Sequence, residues 1–217
     1  MTLLSCASAI SALILVSPEA PEAMCTLEGT LMVQGPDGVE VVPAFAEVYV
    51  NTHNLTAAPP VRHTMVQRPE AVGPQFFPRV LAVQVGDTVD FRNEDTQPHE
   101  VHAKRDVNLF DVKKENSKEL TYSKLFLDSG ISTIGCQIHR NMRATILTVP
   151  NSFHAHVDQK GMWKISGLPK RELEVVFWDS GGKQVKQRLT PCVSGPVNVS
   201  LKVVKPVRAR GYGEMFQ

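Results

Sequence analysis

Residues 196–204 read PVNVSLKVV, and the alternation has no break: Val197, Val199, Leu201 and Val203 fall on one face, Asn198, Ser200 and Lys202 on the other. A period of two belongs to an extended strand with one face buried. The same style recurs along the chain. TLEGTLMVQGPDGVEVVPAFAEVYV (26–50), RVLAVQVGDTVDFRNED (79–95), LTYSKLFLDSGISTIG (120–135) and RATILTV (143–149) are short apolar runs separated by turn residues. The 15 prolines and 14 glycines are spread rather than clustered, as expected of a chain that turns often. No segment carries a strong amphipathic helical period. The expected fold class is therefore all-β, built as sandwiches, and 42% apolar residues suffice for a sizeable core.

A length of 217 residues allows one large unit or two small ones. The style changes near Pro150, where DQKGMWKISGLPKRELEVVFWDSGGKQVKQRL carries turn signals at Gln159–Gly161 and Ser180–Gly182. This divides the chain into a first β-sandwich over 26–150 and a smaller one over 151–205. The first includes an irregular insertion at 51–78, and a loose basic tail follows the second at 206–217. Pro36-Asp37-Gly38 reads as a hairpin turn, and 106–119 as a polar surface loop. The apolar run Leu3–Val16 is too short to cross a bilayer as a helix but suits the core of an export signal, although no basic residue precedes it. Residues 1–23 are expected to be a cleaved leader, the alternative being a retained anchor. The mature form would then have no membrane span. The formal charge of +1 argues against a dedicated nucleic-acid binder.

The chemistry concentrates in GCQIHRNM (135–142), where Cys136, His139 and Met142 stand three residues apart between two expected strands. Thiolate and thioether are soft ligands and imidazole suits copper, whereas methionine is not a customary zinc ligand. A trigonal two-histidine, one-cysteine copper site with a weak axial methionine requires one more histidine. NEDTQPHEVHA (93–103) offers His99 and His102. Residues three apart in a strand point to opposite faces. Val101 and Ala103 mark the inward face, which selects His99, set by Pro98, and leaves His102 expected to be exposed. His154 and His156 share a strand face without a soft ligand and read as surface residues. Losing the leader removes Cys6. With Cys136 a ligand, Cys25 and Cys192 remain, either as a disulfide permitted by export or as two unpaired thiols.

Over 79–149 these motifs resemble the cupredoxins, small blue-copper electron carriers of the amicyanin and plastocyanin kind. VGDTVDFRNED…PHEVHA is similar to the strands leading to the first histidine ligand, and CQIHRNM to the compact ligand loop of amicyanin. The resemblance implies one type 1 copper ion held by His99, Cys136 and His139, with Met142 as the long axial ligand. DQKGMWKISGLP resembles the carboxypeptidase-regulatory-like (transthyretin-type) sandwich that follows a cupredoxin domain in exported proteins of the methylamine-utilization type. The sequence departs from the family where Glu100 follows His99 in place of asparagine and Gly135 precedes the cysteine in place of an aromatic. Glu100 and Pro98 are expected to tune the ligands from behind.

The function these features imply is single-electron transport outside the cytoplasm, in the periplasm or secreted, and not catalysis. A transient redox partner, a dehydrogenase or cytochrome, would dock at Arg140 and Arg143. Two rivals stand beside this reading: copper binding and delivery, and a structural module with a degenerate site.

Overall fold

The computed structural model describes residues 24–52, 54–55, 58–71, 73–112 and 121–202, and among them every regular element is a strand. The expected leader, the C-terminal tail and residues 113–119 of the polar 106–119 segment lie outside the described residues; the expectation of a loop there is corrected at Phe110–Val112, which is a short strand.

The chain opens with β1 (Cys25–Gln34), β2 (Glu40–Val41) and β3 (Ala46–Val50). Next come β4 (Arg62–Arg68), β5 (Gln75–Phe77), β6 (Val80–Gln84), β7 (Thr88–Asn93), β8 (Val101–Asp106), β9 (Phe110–Val112), β10 (Thr121–Leu125), β11 (Gly130–Gly135) and β12 (Arg143–Val149). Finally β13 (His154–His156), β14 (Met162–Leu168), β15 (Leu173–Asp179), β16 (Gln184–Leu189) and β17 (Val197–Lys202) return.

Strands β4 to β12 form one sandwich. Its sheets run β10-β7-β4-β5 and β6-β12-β11-β8-β9. Their inner faces meet in a core that includes Met65, Phe76, Val89, Phe91, Ile134 and Ile146. The other sandwich pairs β14-β1-β17, with β2 on β1, against β13-β3-β15-β16. Its core contains Leu27, Leu31, Val48, Trp163, Phe177 and Leu201. The alternation in 196–204 has the predicted consequence: Val199 and Leu201 are buried, while Ser200 and Lys202 are exposed.

The assignment of residues 26–50 to the first sandwich is corrected by this pairing, while the change near residue 150 coincides with the return of the chain from one sandwich to the other. The first three strands belong to the sandwich completed by β13–β17, and the other sandwich is inserted between β3 and β13. Gly29 to Gln34 pair in parallel with Val197 to Lys202, a partnership with no local signature in the sequence. The 51–78 segment is corrected too, since it contains β4, which pairs along most of its length with β7, and β5. Two features hold the discontinuous unit closed. Gly29 admits β17 at a distance no other residue would tolerate, because a Cβ there would lie 1.8 Å from the carbonyl oxygen of Val197. Cys25 and Cys192, 167 residues apart, form a disulfide with a Cα separation of 5.2 Å.

The two chain crossings into the insert are joined by one buried side chain. Asn151 Nδ2 donates to the carbonyls of Val50 (3.0 Å) and Thr52 (2.8 Å). Beside this junction the sandwiches touch through Leu147, Val149 and Trp178, with Tyr49, Val80 and Ile131 packed around them.

Candidate metal centre

Gly135 and Arg143 are the last paired residues of the β11–β12 hairpin, so 136–142 is its loop, held at both ends by the ladder. On the other side of β11 lies β8, with His102 opposite Gly135. The turn before β8 therefore delivers His99 to the same end of the sandwich as the hairpin loop.

There His99, Cys136 and His139 converge, one donor atom of each lying within 4.8 Å of the others. The two Nδ1 atoms are 3.1 Å apart, and Cys136 Sγ is 3.9 Å from His139 Nδ1. His99 and Cys136 are buried, and His139 is half-buried at the rim. Donors bound at about 2.0–2.3 Å to one ion lie roughly 3–4 Å from each other, and the His99–His139 and Cys136–His139 separations fall in that range.

The protons are arranged to match. His99 Nε2 lies 2.9 Å from Asp95 Oδ2. An ionised carboxylate only accepts, so Nε2 donates and Nδ1 faces the site. Asp95 remains ionised: burial pushes its carboxyl up, but hydrogen bonds from His99 and from the backbone N–H groups of Thr96 and Gln97 outweigh this and hold it below the usual range. His139 Nε2 is 3.2 Å from Gln97 Oε1, which turns the second Nδ1 inward in the same way. Two unprotonated Nδ1 atoms at this separation repel each other. A shared proton or a metal cation relieves the repulsion. Burial lowers the His99 pKa, yet the Cys136 sulfur and Asp95 raise it more, so it sits above the ordinary histidine value. Burial likewise raises the Cys136 thiol. Hydrogen bonds from His99, the backbone N–H groups of Glu100 and His139, and the His139 ring overcome that effect and bring it to about 6. A thiolate is thus available near neutrality, as a metal ligand requires.

Met142 is fully buried in the same apolar cluster as Cys136, and its backbone N–H donates to the His139 carbonyl at 2.9 Å. Glu100 acts through its backbone, while its carboxylate Oε2 is buried without a hydrogen-bond partner among the described residues. Pro98 is exposed in the turn before His99. Arg140 is exposed on the loop, whereas Arg143 lies on the outer face of β12.

His102, expected to be exposed, is 9% exposed. It does point away from the donors, but onto a covered face: a Cβ at Gly135 would lie 2.8 Å from both His102 Nε2 and Arg143 Nη1. Those two side chains occupy the space an aromatic residue before the cysteine would need. His154 and His156 flank the buried Glu47, with His156 Nδ1 3.0 Å from its Oε1. Sequence reasoning missed Asp95 and Gln97. Their signal was present in NEDTQPH, an acid four residues and an amide two residues before the histidine, but it becomes legible only once the turn curls back on itself.

Fold and site together define an all-β protein with a buried histidine–cysteine–histidine cluster suited to a soft or borderline metal ion. No family model and no curated protein matches the sequence. Among solved structures, a purple cupredoxin from Nitrosopumilus maritimus is similar at 21% identity over 40% of this chain and 98% of its own, with a TM-score of 0.32. A proline-to-alanine mutant of amicyanin in its oxidised state is 27% identical over 39% of this chain and 81% of its own, TM-score 0.33. The copper-containing nitrite reductase of Thermus scotoductus SA-01 is 26% identical over 44% of this chain and 24% of its own, TM-score 0.35.

Proposed function

We propose that this chain is an exported copper protein that carries single electrons between redox partners. The observation that carries the reading is the convergence of two inward-facing Nδ1 atoms on a low-pKa cysteine sulfur. In this reading His99, Cys136 and His139 hold one copper ion and Met142 supplies a weak fourth donor. Copper would contribute the Cu(I)/Cu(II) couple, for which sulfur and imidazole together suit both states.

The chain's own residues do the rest. Asp95 and Gln97 fix the two imidazoles, which limits their movement when the charge at the site changes. The N–H groups of Glu100 and His139 hold the thiolate. Burial of His99 and Cys136 keeps water away, and the half-buried His139 is the edge through which an electron leaves. Ile138, 51% exposed, and Arg140 lie on the same loop. They suit a transient contact with a dehydrogenase or cytochrome whose docking surface is acidic around an apolar centre. Export is supported by the disulfide and by the apolar run at 3–16. No described helix is long and apolar enough to cross a membrane.

The second reading is copper storage or delivery, favoured by Glu100, whose N–H holds the thiolate and whose carboxylate Oε2 is buried without a hydrogen-bond partner among the described residues, a negative charge near the site that would stabilise the oxidised ion. Titration of the protein with Cu(II), followed by absorption beside Cys136→Ala, tests copper binding. An intense visible thiolate-to-copper band, absent from the variant, is expected. Failure to bind copper sinks both readings. Reversible one-electron voltammetry then supports transport, and a sluggish or irreversible couple overturns it in favour of storage.

A further inference from the structure

Phe45, just before β3 of the other sandwich, meets the outer face of the β6-β12-β11-β8-β9 sheet. Between them is a cleft of about 690 Å³ whose lining includes Phe45, Arg79, His102, Lys104 and Arg143. Its chemistry is one-sided. Three cationic residues and two threonines, Thr133 and Thr145, line it, and among the described residues no carboxylate does.

Arg79 and Arg143 make no ion pair among the described residues. By contrast Arg62, Arg68, Lys164, Lys186 and Arg188 each face an acid. Lys104 is shared with Asp111 at 3.3 Å, which leaves the two arginines as the uncompensated charge. His102 forms part of the wall, 9% exposed, with its Nδ1 buried and unpartnered among the described residues. Burial and the neighbouring Lys104 hold its pKa below the ordinary histidine value, so the ring adds no charge of its own near neutrality. Register sets the two arginines at the ends of neighbouring strands: Thr145 pairs with Val80 on one side and with Thr133 on the other, and Arg79 accepts a hydrogen bond from Thr145 through its carbonyl.

We infer that this cleft binds a small multivalent oxyanion, an organic molecule bearing phosphate or several carboxylates. A guanidinium group matches the oxygens of either group bidentately, and two line this cleft. The volume falls in the range of small-molecule sites and exceeds what a bare phosphate would fill, and Phe45 offers an aromatic wall to the remainder of the ligand. The inference concerns the face opposite the metal donors and does not depend on copper.

The test is an amide NMR titration of the full chain without added metal, using inorganic phosphate and citrate separately, each against sodium chloride at matched ionic strength. Saturable shifts centred on Lys104, Thr133 and Thr145 are expected for at least one oxyanion, weakened tenfold or more by Arg79→Gln with Arg143→Gln. Arg140→Gln, which alters a cation outside the cleft, should leave them unchanged. A preference for phosphate or for citrate identifies the class of ligand. Equal shifts with chloride, shifts elsewhere, or undiminished binding in the double variant would overturn the inference.

Discussion

The two sandwiches are similar in construction and opposite in use. The core of the split sandwich consists of aliphatic and aromatic side chains closed by a disulfide. The inserted one places a cysteine and a methionine at the end of its core and buries His99 and Asp95 beside them. Burying such groups costs stability unless each finds a partner. His99, Asp95 and Gln97 answer that cost within one turn. The comparison teaches that a scaffold can separate closure from chemistry: one unit holds distant parts of the chain together, while the other carries a set of polar groups that a minimal core would not contain.

Breaking the disulfide should strike one unit only. Cys25→Ser with Cys192→Ser is expected to destabilise the split sandwich by about 2–5 kcal/mol, seen as a separate, lower thermal transition. The copper-dependent spectrum of the folded protein should not change. Loss of the spectrum along with the transition would mean that the units fold as one.

Asp95→Ala attacks the other side of the comparison. Without its acceptor, His99 is free to rotate or to protonate differently, and copper affinity should fall about 10–100-fold. Melting of the split sandwich should be unaffected, and Asp95→Asn, which retains an acceptor oxygen, should recover part of the loss. Competition with a chelator of known affinity measures it.

Asn151→Ala tests the seam. It leaves the carbonyls of Val50 and Thr52 without the Nδ2 donor, at an expected cost of about 1–3 kcal/mol. Hydrogen exchange should quicken at the crossings before it does in either core.

The smallest effect is a pH dependence confined to the metal centre. In the proposed reading copper would bind the thiolate, and the Cys136 thiol titrates at about 6. Below that value each copper must displace a proton, and the raised pKa of His99 acts in the same direction. Affinity should therefore fall as pH drops, by roughly tenfold per unit below pH 6 from the thiol alone. The unfolding temperature of the split sandwich over the same range provides the control.

The sequence by itself determined the all-β class, because a period of two is written into each strand, and the nearness of Cys136, His139 and Met142, because seven residues between paired strands cannot spread far. It also selected His99 over His102 as the candidate ligand, but the turn before β8, not strand alternation, is what delivers His99 to the site. Tertiary structure alone decided which strands close which sandwich, because β1 finds β14 and β17 across more than a hundred residues and hydrogen-bond partners at that range leave no local trace. The burial of His102 beside Arg143, the return of Asp95 onto His99, and the placing of Arg79 and Arg143, without an ion pair among the described residues, in one cleft were decided there as well. Each depends on where a side chain ends up relative to a distant backbone, which pairing and packing settle together and spacing along the chain does not.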